Sequence, residues 1–174
     1  LPVFTAVAAR FQQLSSGITI VIPAANSARL SEMRSRGLHE VEGVLLVEEG
    51  QSRLSIVAAD AVLCASGTAT LEAMLIGRPM VVAYRMAWLT WQLLSKMVHV
   101  PYVGLPNVLA GQRVVPELLQ NDATEDKIYE ALNEILSGAG KVQLEIFKEC
   151  AETIGPDFAR RSVDALESLL WCQN

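Results

Sequence analysis

With 174 residues the chain is long enough for one domain with a substantial core. It is 51% hydrophobic and 19% charged, which suits a sheet covered by helices on both faces, yet no apolar run reaches the roughly 20 residues of a membrane span. The net charge of −5 argues against nucleic acid as the main partner, and the three scattered cysteines, Cys64, Cys150 and Cys172, form neither a metal spacing nor a disulfide framework, which points to a reducing cytosol.

In chain order, Phe4, Val7, Ala8, Phe11 and Leu14 recur at helical spacing and predict a helix over Val3–Leu14, ended by Gly17. A doubly wound unit normally opens with a strand, so this start suggests a piece of a longer protein with at least one strand upstream. Ile18–Ile22 is a β-branched strand stopped by Pro23. Ala25–Arg36 reads as a polar helix starting near Asn26 or Ser27, Val44–Val47 as a strand, and Ser52–Ala59 as a short helix. Ala61–Ala65 is an apolar strand that runs into a small, hydroxyl-rich turn, Ser66-Gly67-Thr68-Ala69-Thr70. A helix over 68–76 opens there, Gly77 ends it, and a buried strand follows at 80–84. Trp88–Val98 is amphipathic, Tyr102–Leu105 reads as a short strand, and Leu109–Leu119 as a helical segment broken by Pro116.

The tail, 122–174, carries three helical patterns, Thr124–Leu136, Lys141–Thr153 and Ala159–Trp171, and no strand is expected beyond about residue 105. Asp122-Ala123-Thr124 followed by Glu125-Asp126 is a helix start with acids in the first turn. The alternation before the tail predicts an α/β fold, a Rossmann-like parallel sheet with helices on both faces, over 1–121.

The turn at Ser66–Thr70 carries the functional argument. A strand that stops at a helix N-terminus aims free backbone N–H groups and the positive end of the helix dipole at an anion. Helix capping alone would account for Ser and Thr here. It does not account for Glu72, because the position three residues before it is Ala69 and no capping box forms. Thr68 and Glu72 share a helical face, apart from the apolar set Leu71, Met74 and Leu75. A carboxylate one turn behind a phosphate-binding hydroxyl could reach a ribose diol. Open α/β sheets bind ligands at this end of the strands.

Ala65-Ser66-Gly67-Thr68-Ala69-Thr70-Leu71-Glu72-Ala73 together with Pro79-Met80-Val81-Val82-Ala83-Tyr84-Arg85 resembles the lipid-A-disaccharide synthase family. So does Val100-Pro101-Tyr102-Val103-Gly104-Leu105-Pro106-Asn107-Val108-Leu109-Ala110-Gly111, followed by Val115-Pro116-Glu117-Leu118-Leu119-Gln120. The match is dense over 57–121. The resemblance implies the C-terminal, UDP-binding half of a GT-B glycosyltransferase. Such an enzyme transfers 2,3-diacylglucosamine from UDP to 2,3-diacylglucosamine 1-phosphate, with inversion, and forms a β-1,6 disaccharide. It also implies that Ser66, Gly67, Thr68, Ala69 and Thr70 face the diphosphate, that Glu72 binds the ribose, and that Asn107 faces the nucleotide. Arg85 and Arg113 are candidates for offsetting phosphate charge.

No catalytic base is expected in this chain; in the family it comes from the N-terminal half, the implied partner. No metal or other cofactor is expected, the UDP-sugar being substrate. The family's opening strand and Gly-Ser-Arg loop are not present, so this chain alone is expected to be inactive. The implied location is the cytoplasmic face of a Gram-negative inner membrane, with the stripe Trp88, Leu89, Trp91, Leu94, Met97 and Val98 serving either the core or the membrane surface. The tail helices could pack on the missing half or exchange with a second copy in a homodimer. Rival readings are another UDP-sugar GT-B transferase or epimerase, and a non-catalytic nucleotide-binding module.

Overall fold

The computed structural model describes residues 2–14, 17–65, 67–85 and 102–155. The expected helices at Trp88–Val98 and Ala159–Trp171 lie outside the described residues, as do Ser66, His99 and Cys172.

Helix α1 (Pro2–Leu14) leads to strand β1 (Ile20–Pro23), α2 (Ser27–Ser35), β2 (Val44–Val47), α3 (Ser52–Ala58) and β3 (Val62–Cys64). Then come α4 (Thr68–Ile76), β4 (Met80–Tyr84), α5 (Leu105–Ala110), β5 (Glu117–Leu119), α6 (Glu125–Glu134) and α7 (Gly140–Ile154). Among the described residues every strand pairing is parallel: β1 with β2 in one sheet, and β3-β4-β5 in a second. The fold class is therefore the expected one, α/β with helices on both faces.

Strand β4 shows why. Met80 and Val82 point into one apolar cluster with Ala73 and Met74 of α4 and Phe147 and Cys150 of α7. Val81 and Ala83 point the other way, onto Val7 and Phe11 of α1 and Ile128 and Leu132 of α6. An unbroken apolar strand is stable only when covered on both faces. Helix α1 spans both sheets, since its cluster also takes in Ile20 of β1 and Leu63 of β3.

At the start of β4 a side chain replaces a strand. Strand β5 reaches back only to the level of Val82, so Met80 has no ladder partner on that side. The buried Gln143 of α7 supplies both bonds: Met80 N–H donates to its Oε1 at 2.8 Å, and its Nε2 donates to Met80 C=O at 3.2 Å. Burying those backbone groups unpaired would be costly.

Two expectations are corrected. Tyr102–Leu105 is not a strand: Val103 and Gly104 N–H groups donate to the Glu117 carboxylate, and Pro106 sits in the first turn of α5. Leu109–Leu119 is not one broken helix: α5 ends at Ala110, and Glu117–Leu119 is β5, a strand past the point where none was expected. The tail starts as expected, with the Thr124 hydroxyl accepting from Lys127 N–H at 3.3 Å.

Candidate functional site

Strand β3 ends at Cys64 and α4 begins at Thr68, with Gly67 as its N-cap residue. Gly67 has φ 122° and ψ −162°, a region in which only glycine is at ease. Its chain neighbours apart, no atom of the described residues lies within 4 Å of where its Cβ would be, so the turn is open on that side. Gly67 has no side chain with which to cap the first-turn N–H groups of α4. Thr68 and Glu72 are both exposed, one turn apart on the same face. Ala69 is half-buried between the two faces.

Thr70 departs from expectation. It is fully buried, and its hydroxyl donates to Gly67 C=O at 2.7 Å, so it tightens the turn and does not face outward. Leu75, placed with the apolar set, is half exposed, while Ala73 and Met74 are the buried apolar residues of that helix. Cys64 behaves as the small core residue its strand implies: burial pushes its thiol up to about 12, and the thiol points at Val81 C=O.

Asn107 is likewise turned inward. It has 0% exposure, and its side-chain amide is fully engaged. Its Oδ1 accepts from Val114 and Val115 N–H, both at 2.7 Å. Its Nδ2 donates to Val115 C=O at 2.9 Å and to Glu117 Oε1 at 2.8 Å. An amide with two acceptor and two donor positions filled has none left for a ligand. The expectation that its side chain faces the nucleotide is corrected to a role in holding the loop.

Arg85, exposed at the end of β4, donates from Nε to Gln120 C=O at 2.9 Å and so braces the turn after β5, where Gln120 has φ 51°. Arg113 is exposed on the stretch leading into β5; its charge reaches Asp122, whose carboxyl is lowered first by the Lys127 ammonium and further by Arg113. The structure thus brings Gly67, Thr68, Ala69 and Glu72 together at one helix start and puts Arg85 on the same carboxyl edge of the sheet, while Arg113 stands exposed before β5. Ser66 lies outside the described residues. Among the described residues no three His, Cys, Asp or Glu side chains gather as a metal-ligand set, and no helix is long and apolar enough to cross a membrane.

Comparison with known proteins decides the family. The lipid-A-disaccharide synthetase family profile matches residues 1–160. The chain belongs to the lipid-A-disaccharide synthase family. It is 44% identical over 167 residues to a lipid-A-disaccharide synthase of Pseudomonas putida, covering 96% of this chain and 44% of that protein. A Pseudomonas fluorescens lipid-A-disaccharide synthase is 44% identical over 169 residues, covering 97% of this chain and 44% of the relative. The chain therefore spans less than half the length of these curated relatives. Membership in the lipid-A-disaccharide synthase family sets aside the other UDP-sugar transferases and epimerases weighed from the sequence.

Glu117 and Gln143 are the side chains that sequence reasoning passed over. Glu117 stands in one of the blocks that carry the family resemblance, Val115–Gln120, but its role depends on partners ten or more residues upstream. Gln143 lies 63 residues from the strand it serves, and no local signal points to it.

Proposed function

We propose that this chain is the donor-binding half of a lipid-A-disaccharide synthase, with two domains, 1–121 for the nucleotide-sugar and 122–174 as helices that close against it or against a partner half. The reaction is transfer of 2,3-diacylglucosamine from its UDP conjugate to 2,3-diacylglucosamine 1-phosphate, forming the β-1,6 disaccharide and UDP. The observation that carries this reading is the open, glycine-capped start of α4, with exposed Thr68 and Glu72 one turn apart.

The chemistry follows from that geometry. As the sugar leaves, negative charge grows on the diphosphate. The N–H groups of Gly67, Thr68 and Ala69 and the α4 dipole are oriented before the reaction, so they stabilise that charge without rearranging. The Thr68 hydroxyl adds a donor. Glu72, about 6 Å away on the same face, accepts from the ribose hydroxyls. Ser66 joins the diphosphate cradle, and Arg85 offers a further positive charge at the same edge. Inversion needs a base to take the acceptor's proton, and we place that base on the N-terminal half, so the chain alone binds donor without turning it over. Metal is not required in this scheme. The acyl groups of both substrates would keep the complete enzyme at the cytoplasmic surface of the inner membrane.

Calorimetric titration with UDP, in EDTA and again in magnesium, tests the proposal. The parent should bind equally well in both. Glu72→Ala should bind about 10- to 100-fold more weakly, the scale of a hydrogen bond to a charged group. Equal affinity in parent and mutant would remove Glu72 from the site. Absence of UDP binding both in this chain and in its fusion to the N-terminal part of the Pseudomonas putida relative would overturn the donor pocket.

A further inference from the structure

The Glu117 carboxylate sits where a side chain is rarely found working so hard for the backbone. Its Oε1 accepts from Gly104 N–H at 2.8 Å and from Asn107 Nδ2 at 2.8 Å, and its Oε2 accepts from Val103 N–H at 3.0 Å. The space is tailored to it: a Cβ on the buried Gly104 would come within 3.1 Å of Glu117 Oε1 and 3.5 Å of Val82 Cγ2. Asn107, locked in turn by Val114 and Val115, gives the same Oε1 its second donor.

Strand register says what this assembly stands beside. Cys64 pairs with Val82, and Val82 pairs with Glu117, so the three form one row across the sheet, on one face. Neighbouring strands are about 4.8 Å apart, which sets Glu117 roughly 10 Å from Cys64, the last residue of β3 before the Gly67 turn. Helix α5 starts from Gly104 over that row, α4 starts just beyond its other end, and the two helices pack against each other.

We infer that Glu117 is a positioning residue for the donor site: through Val103, Gly104 and Asn107 it fixes the start of α5 against α4, and so sets the wall of the pocket that opens at Gly67. This inference rests on the donor-pocket reading and adds to it a residue that touches no ligand. A neutral side chain at 117 would loosen the wall even where the fold survives, because two backbone N–H groups and one amide lose a shared anionic acceptor.

The test sets Glu117→Ala and Glu117→Gln beside Gln143→Ala, which breaks a buried pair at the opposite end of β4 and serves as the purely structural control. UDP affinity is measured by calorimetry, and amide hydrogen exchange by NMR, both well below each variant's melting temperature. The expected result is about tenfold weaker UDP binding in Glu117→Ala, partial recovery in Glu117→Gln, and parent-like affinity in Gln143→Ala despite its lower melting temperature. Exchange should quicken at Val103 and Gly104 and also at Thr70, whose N–H donates to Gly67 C=O at 3.1 Å in the first turn of α4, but not in β1 or β2. Unchanged affinity in a folded Glu117→Ala, or faster exchange confined to Val103 and Gly104, would overturn the inference while leaving the donor pocket standing. Should Glu117→Ala not fold, Glu117→Gln with parent affinity and unchanged exchange at Thr70 would overturn it instead. A parent that binds no UDP sinks the donor reading and this inference together.

Discussion

The two parallel sheets of this molecule are built from similar apolar runs and are covered very differently. Strand β4 has Met80, Val81 and Val82 at 0% exposure. In the β1-β2 pair, Val21 and Leu45 are 36% and 52% exposed. The contrast follows from neighbours. Strand β4 has a strand on each side and helices on each face, whereas β1 and β3 each have a strand on one side only among the described residues; α1 packs against both sheets, its cluster holding Ile20 on one side and Leu63 on the other. The candidate site belongs to the well-covered sheet, where preorganised donors can be held still. The two-stranded piece contributes no candidate residue.

The comparison predicts its largest effect in the core behind β4. Phe147→Ala should cost about 3–5 kcal/mol, because the ring is 2% exposed and packs with Met74, Met80 and Val82. Leu45→Ala in β2 removes a half-exposed side chain and should change stability by about 0.5 kcal/mol or less. Urea unfolding of the two variants measures both. Equal losses would mean that the two sheets are equally covered in solution, and the contrast would fail.

A smaller effect separates hydrogen bonding from packing within the same sheet. Gln143→Ala leaves Met80 N–H and C=O without the side chain that pairs both of them and should cost about 1–3 kcal/mol. The denaturation midpoint should fall with an unchanged slope, since the amount of surface exposed on unfolding stays the same. A variant as stable as the parent would mean that water takes over both bonds.

What could be read in the sequence follows the same division. Val44–Val47, Thr68–Ile76 and Met80–Tyr84 have the bounds that periodicity and glycine stops predict. Strand β5 was hidden because it is three residues long, follows Pro116 and ends at a positive-φ Gln120, so it has no period to detect. Tyr102–Leu105 looks extended, but its N–H groups pair with a carboxylate supplied 13 residues later, which no local rule contains. At the candidate site, the shared face of Thr68 and Glu72 was legible from their four-residue spacing, and both are exposed. Thr70 could have been excluded by the same rule, since a residue two positions from Thr68 lies about 200° round the helix. The engagement of Asn107 needed the fold.

The smallest expected effect lies on the less covered side, at the surface of α2. There Arg29 holds the Glu32 carboxyl below its ordinary value by a hydrogen bond, with Arg36 adding charge from the next turn. A carboxyl depressed in the fold adds stability above its unfolded-state pKa of about 4.3, and that contribution is lost as pH falls through the lower folded value. Both arginines are well exposed, so the contribution is small and screened by salt. NMR titration of the Glu32 carboxyl should give a midpoint below the ordinary range at low salt that climbs back toward it in 1 M NaCl, where the Debye length is about 3 Å. Glu117, by contrast, is half-buried and its Oε1 is held by the N–H of the buried Gly104, where salt screens less, so Gly104 should keep its amide protection in the same 1 M NaCl. Loss of protection at Gly104 in salt would make the Glu117 contact a surface feature like Glu32 and would erase the difference between the two regions.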